Sequence, residues 1–342
     1  MAYTTINKST DYFNIKLYAG DGTSSRDITG VGFQPDFTWI KQRSNTFSHV
    51  LGNAVSGDNK FLSTNGTGAE STDNTKFRTF VSDGFQIGSH NSVNNGSNTY
   101  ASWNWKANGT GSANTDGSIN STVSVNTTAG FSIVSWTGNS GTVGHGLGAK
   151  PAMIIVKSRQ STNNWVVMHK GLTGGMDTNV IVLNGTGAEG GGGAGMAEPT
   201  SSVFTITGGL AANDNNIAYC FAEKTGYSKF GSYVGNGNAN GPMIYTGFKP
   251  AFVIMKNASQ AGKWLIMDNK RPTSGANPNN ARLFADVSNV ESTSSNMIDM
   301  LSNGFKIRTS DTDHNASGDI NIYMAFAEAP LVGSNDVTAK AK

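Results

Sequence analysis

Two kinds of apolar pattern run along the chain. The pairs Phe85/Ile87, Phe204/Ile206 and Phe305/Ile307 each enclose a polar residue, the period of a strand with one face in water. The runs 152–156 and 252–255 are apolar at every position, which suits a central strand covered on both faces. Gly, Asn and Ser separate these segments and supply turn residues. Short strands with turns roughly every 8–12 residues predict a β-sandwich, of jelly-roll or lectin-like form.

The pattern occurs three times. Pro35, Pro151 and Pro250 each follow a glycine by three residues, with Phe37, Met153 and Phe252 two residues later and Lys41, Lys157 and Lys256 six residues later. An aromatic strand start follows at Phe47, Trp165 and Trp264, which lie 12, 14 and 14 residues after the proline. The segments 61–70 and 180–189 end on the same six residues, closing at Glu70 and Glu189, and 283–291 is a looser copy closing at Glu291. Then come Asp83-Gly84-Phe85, Ser202-Val203-Phe204 and Asn303-Gly304-Phe305, and last an aromatic strand ending at Trp105, Phe221 or Phe326. Ordered landmarks at near-constant spacing make this a structural repeat.

Opening strands are expected at 12–18, 131–136 and 230–233. The predicted organisation is all-β, with three tandem sandwich modules at 1–107, 130–228 and 229–331. Residues 108–129 are expected to be a linker with one possible strand, and 332–342 a polar tail. Each proline marks where a loop becomes a strand, because it fixes φ and cannot donate to a ladder. With no disulfide available, each module must rest on its aromatic core. Trp39, Trp103, Trp105, Trp136, Trp165 and Trp264 all fall within strand patterns and are assigned to that core rather than to sugar stacking.

Composition narrows the function. Charged residues make up 14% of the 342, against about 25% in average soluble proteins, so amides and hydroxyls solvate the surface. Net charge is +2 and no Lys/Arg block offers a phosphate-neutralising footprint, which argues against a nucleic-acid partner. The N-terminus lacks the apolar core of a signal peptide, and no apolar run approaches the ~18 residues of a membrane span. Synthesis in a reducing cytosol without membrane insertion is therefore expected. The one cysteine, Cys220, reads as a buried apolar side chain.

No catalytic, cofactor-binding or metal-binding residue is assigned. His49, His90, His145, His169 and His314 occupy unlike positions without the spacing of a zinc or nucleophile site; His49 and His169 are placed on one repeated strand, where the third module has Asp268 or a neighbour, as edge polar residues. Glu70, Glu189 and Glu291 recur singly in a loop, where a glycosidase would need two carboxylates; a loop-bracing hydrogen bond is expected of them. Residues 311–315 alternate oxygen side chains as calcium loops do, but Ala316 and Ile322 stand where Gly and Glu would be required, so a turn is expected. The glycine-rich stretch 190–195 lacks the Lys-Ser/Thr of a phosphate loop. Any glycan site is expected at the variable loops.

Several stretches resemble a module widespread in structural proteins of marine bacteriophages, notably those infecting cyanobacteria and other ocean bacteria. They are 30–43, 142–148, Tyr219-Cys220-Phe221-Ala222-Glu223, 226–233 and Ala325-Phe326-Ala327-Glu328, and the similarity covers nearly the whole chain. The resemblance implies a virion protein of tail-fibre type with lectin-like sandwiches, assembled in the host cytoplasm. Its expected partners are other virion proteins and a host-surface glycan, and assembly as a homo-oligomer is expected. One departure is that a module starts almost at the N-terminus, where fibres of the usual kind carry a separate anchor. The expected function is structural, in host attachment and without enzyme activity. Capsid decoration is the alternative, and a polysaccharide depolymerase a more distant one.

Overall fold

The computed structural model describes residues 4–191, 197–208, 210–272, 277–330 and 332. They form an all-β, sandwich-type fold of antiparallel sheets. The three repeats build the same large sheet in the same strand order. In the first it runs Phe13–Ala19, Thr99–Trp105, Phe37–Gln42, Val50–Asn53. In the second it runs Phe131–Thr137, Asn215–Phe221, Met153–Ser158, Val166–His169. In the third it runs Ser228–Val234, Ile320–Pro330, Phe248–Asn257, Leu265–Asp268. The polar tail lies outside the described residues, apart from 332.

Residues 108–129 do not form a loose linker. Ser112–Asn114 and Ser121–Asn126 are two strands that pair with each other, and the second pairs with Phe131–Thr137, extending the second module's sheet at its edge. Only the alternation at 119–125 was legible in sequence. The Gly-rich flank conceals the shorter strand because Gly and Asn side chains carry no facial pattern.

A smaller sheet covers one face of each large sheet: Arg26–Thr29, Gly84–Ile87 and Phe77–Val81; Ser140–Gly144 and Val203–Thr207; Met243–Tyr245, Gly304–Ile307 and Ile298–Leu301. These strands come close. A Cβ on Gly84 or Gly304 would lie 1.9 or 2.0 Å from the carbonyl oxygen of Ile28 or Ile244 on the partner strand. In the second module Val203 takes that position and Gly144 stands opposite it, so every such pair contains one glycine.

The second face of each large sheet packs on the other two modules. Alternate residues of a strand therefore serve two cores. Phe37 and Trp39, Met153 and Ile155, and Phe252 and Ile254 enter one cluster shared by all three modules. Their neighbours Ile40, Ile154 with Val156, and Val253 with Met255 enter the private sandwich interiors. The doubly apolar runs have their explanation here. At the centre Trp105, Phe221 and Phe326, equivalent in the three repeats, meet pairwise at ring-centroid distances of 5.7, 6.1 and 6.4 Å. The modules are thus not beads on a string; they close around a common aromatic axis with approximate threefold symmetry. All six tryptophans are buried.

Candidate functional site

The residues singled out by their recurrence lie on the three seams between modules, and their contacts run cyclically: first to second, second to third, third to first. The backbone N–H of Glu70 donates to Arg159 O, that of Glu189 to Ala258 O and that of Glu291 to Arg43 O, at 2.8–2.9 Å. Where an arginine faces the glutamate, both carboxylate oxygens are taken. Arg159 Nε and Nη2 reach Glu70 at 3.0 and 2.8 Å, and Arg43 Nε and Nη2 reach Glu291 at 3.0 and 2.7 Å. At the remaining seam Ala258 has no guanidinium, and the Glu189 carboxylate instead accepts from Thr173 N and Oγ1. The carboxylates of Glu70 and Glu291 therefore brace loops between modules, whereas that of Glu189 braces a loop of its own module and only its backbone N–H crosses the seam.

The indoles follow the same cycle. Trp165 Nε1 donates to Ser63 O across one seam at 3.0 Å, and Trp264 Nε1 donates to Val182 O across the next at 2.8 Å. At the third, His49 Nε2 lies 2.9 Å from Phe284 O. The first module's counterpart of Trp165 and Trp264 is thus His49, 14 residues after its proline, and not Phe47. Phe47 is half-buried beside His90. Trp39, where the other modules carry Ile155 and Ile254, supplies the missing bulk, and its Nε1 donates to His49 Nδ1 at 2.8 Å.

His49 and His169 do belong to equivalent strands, one just before Val50–Asn53 and the other closing Val166–His169, and Asp268 is the third module's counterpart of His169, but their placing as edge residues is corrected. His169 pairs in register with Met153 as Asn53 does with Phe37 and Asp268 with Phe252, so its equivalents are Asn53 and Asp268. Both histidines are also buried in seams rather than at an edge. His169 Nε2 lies 3.1 Å from Tyr323 O, and Asp268 accepts from Trp103 Nε1 at 3.0 Å. Burial pushes the pKa of His49 down to about 3 and of His169 down to about 4, so neither is a base poised near neutrality.

Other candidates are similarly committed. His145 lies buried near Thr200 O, and His90 caps a helical turn at Asn91–Asn94. Residues 312–315 form a short helical turn whose cap, Asp311, accepts from Asp313 N. Among the described residues no group of three or more His, Cys, Asp or Glu side chains is arranged to hold a metal ion. Burial pushes the Cys220 thiol well up, the opposite of an activated nucleophile. Gly190 and Gly191 pair with Asn179 and Val180; 192–195 lie outside the described residues. No described helix is long and apolar enough to cross a membrane.

Two features were not legible beforehand. Lys41, Lys157 and Lys256 are buried, and each donates to the carbonyl of the next residue. Lys157 also reaches Thr67 O across the seam. Desolvation lowers all three pKa values to about 8. The second feature is a buried ion network at the third seam. Arg271 binds Asp268 through Nε at 2.5 Å and Glu291 through Nη1 at 3.0 Å, and Glu291 also holds Arg43. Nothing in the repeat pattern points to Arg271, because the other modules have no equivalent pair.

The outer surface breaks the threefold pattern. Among the described residues the exposed large hydrophobics are Val234, Met243, Tyr245 and Val290, all in the third module. Two clefts also involve it. One, of about 240 Å³, lies between Tyr245, Lys229 and Glu223. The other, of about 360 Å³, lies where the third module meets Thr46 of the first. A family model described as a domain of unknown function, DUF7483, matches residues 8–330. The chain belongs to the DUF7483 family. The match takes in all three repeats, so the DUF7483 unit corresponds to the whole closed ring of sandwiches rather than to one module. No curated protein matches it.

Proposed function

We propose that this DUF7483 protein is a structural component of a bacteriophage virion surface, in a tail fibre or other tail appendage, that engages a host-surface glycan. The observation carrying this reading is the closure of three sandwiches on one aromatic core, which makes a rigid body whose recurring acids, histidines and indoles are spent on holding modules together. What is left for recognition is the loop and edge surface of the third module, where the apolar exposure and the clefts lie. The threefold closure that fibres obtain from three chains is achieved here within one, so homo-oligomer formation and contacts with other virion proteins would use outer faces.

A second reading, decoration of a capsid, is favoured by the same approximate symmetry, since three similar faces can meet three equal neighbours. The depolymerase reading has less behind it: each recurring glutamate is singly placed, with its carboxylate hydrogen-bonded to an arginine across a seam or, for Glu189, to Thr173. Cryo-electron microscopy of the particle tests the proposal. Density for the ring at the tail supports it, density on the shell transfers the protein to decoration, and absence from purified particles rejects both. Release of reducing ends from host polysaccharide by the wild type but not by Glu189→Gln would establish the depolymerase instead.

A further inference from the structure

The cleft of about 360 Å³ between the third and first modules falls within the ~300–1,000 Å³ range of small-ligand sites. Several of its lining residues depart from the repeat. Counting back from the equivalent strands, Lys263 occupies the position of Ser48 and Asn164 in the other modules, and Arg282 that of Phe61 and Val180. Asp313 and His314 of the capped turn correspond to Ser92 and Val93 of the first module's turn. Two cations, an anion and an imidazole have therefore been placed at positions that a symmetric fold leaves uncharged.

Among the described residues, two side-chain nitrogens in the wall of the cleft are unsatisfied. His314 is 2% exposed, and its Nδ1 has no partner. Its Nε2 lies 3.1 Å from Lys263 O and must carry the proton, which leaves Nδ1 as an acceptor. Burial also lowers the His314 pKa, which keeps the ring neutral. Arg282 donates from Nη2 to Ser294 Oγ, but its buried Nε has no partner. Both nitrogens are closed to solvent, so a ligand in the cleft meets the other polar groups of its lining, Lys263, Asp311 and Asp313 among them. Phe284, stacked on His314 at 6.5 Å with Lys263 Nζ 5.2 Å from its ring centre, and the exposed Val290 supply apolar lining.

We propose that this cleft binds a neutral hexose unit of a glycan. Lys263 and Arg282 are balanced by Asp311 and Asp313, so neither an anionic nor a cationic ligand gains from net charge. Separate donors and acceptors beside an apolar lining match the vicinal hydroxyls and C–H faces of a pyranose. The inference deepens the attachment reading. Its test uses purified protein and the other uses the particle, so failure of either can be told apart.

Saturation-transfer NMR and titration calorimetry on the full chain would use neutral pentasaccharides of glucose, galactose and mannose, with oligogalacturonate and sialyllactose as anionic probes. At least one neutral probe should bind. Asp313→Asn and Arg282→Gln should each weaken it about tenfold, and Asn164→Ala, at the equivalent position in the second module, should leave it unchanged. Val290 is 45% exposed, so Val290→Asp should keep the wild-type melting temperature while weakening binding. Failure of every neutral probe, preference for an anionic one, or undiminished binding by Val290→Asp would overturn the assignment.

Discussion

Replacing Glu291 by Gln tests the seam most sharply, because the same substitution at Glu70 and Glu189 supplies internal controls. Glu291 holds both Arg43 and the fully buried Arg271. Removing its charge leaves Arg43, 16% exposed along its side chain, without an anion, a situation that costs about 3–5 kcal/mol in other buried pairs. Glu70 pairs with Arg159, also bonds Ser56, and is similarly buried, but its loss affects one guanidinium, whereas loss of Glu291 strands Arg43 and also takes from Arg271 one of its two anions, Asp268 being the other, so about 2–3 kcal/mol is expected for Glu70. Glu189 accepts only hydrogen bonds near the surface, and under ~1 kcal/mol should be lost. The order is therefore Glu291, Glu70, Glu189.

The size of the melting shift also reports on the shared core. At ~2.1 cal/mol/K per residue, 342 residues unfolding together give an entropy of about 0.7 kcal/mol/K. A loss of 3–5 kcal/mol then lowers Tm by about 4–7 °C in one transition. If modules of ~100 residues melted independently, the same loss would move one of several transitions by roughly three times as much. Differential scanning calorimetry with urea titration reads both quantities. Equal costs at the three glutamates, or separate transitions in the wild type, would refute the reasoning from the seams.

Three further outcomes follow from the interior. Trp264→Ala removes a buried indole and its bond to Val182 O and should cost about 3–5 kcal/mol in urea denaturation; a midpoint that barely moves would place the ring outside the core. His169 stays neutral in the fold down to about pH 4, whereas the unfolded chain takes up a proton below about 6.5. Wild-type stability should therefore fall between pH 6.5 and 4, by up to about 3 kcal/mol from this group. His169→Asn, which introduces the first module's residue, should lose that slope in melts at pH 7 and 4.5. For Lys157 the folded pKa is near 8 and the unfolded value about 10.4, so the unfolded state holds more protons between them and stability rises with pH. Wild type should gain on Lys157→Met as melts move from pH 7.5 to 9.5, and a constant difference would contradict it.

Strand-level information was legible in the sequence because side-chain alternation is a local property. The three repeats, the doubly covered strands after Pro151 and Pro250, the burial of the tryptophans and the loop-bracing glutamates could all be read from periodicity and spacing. The equivalence of His49 with Trp165 and Trp264 could not be read. Residue type differs there, and the compensation by Trp39 is a contact between strands. Nor could the pattern say what covers the outer face of each large sheet. A second sheet or another module satisfies an apolar face equally well, and hydrophobic burial has no direction. Only the tertiary structure decided that Trp105, Phe221 and Phe326 converge on one axis, that Arg43 and Arg159 stand opposite glutamates of neighbouring modules, and that Arg282, Asp313 and His314 share a cleft. Those juxtapositions join residues far apart in the chain, and local sequence does not encode which module an exposed face will meet.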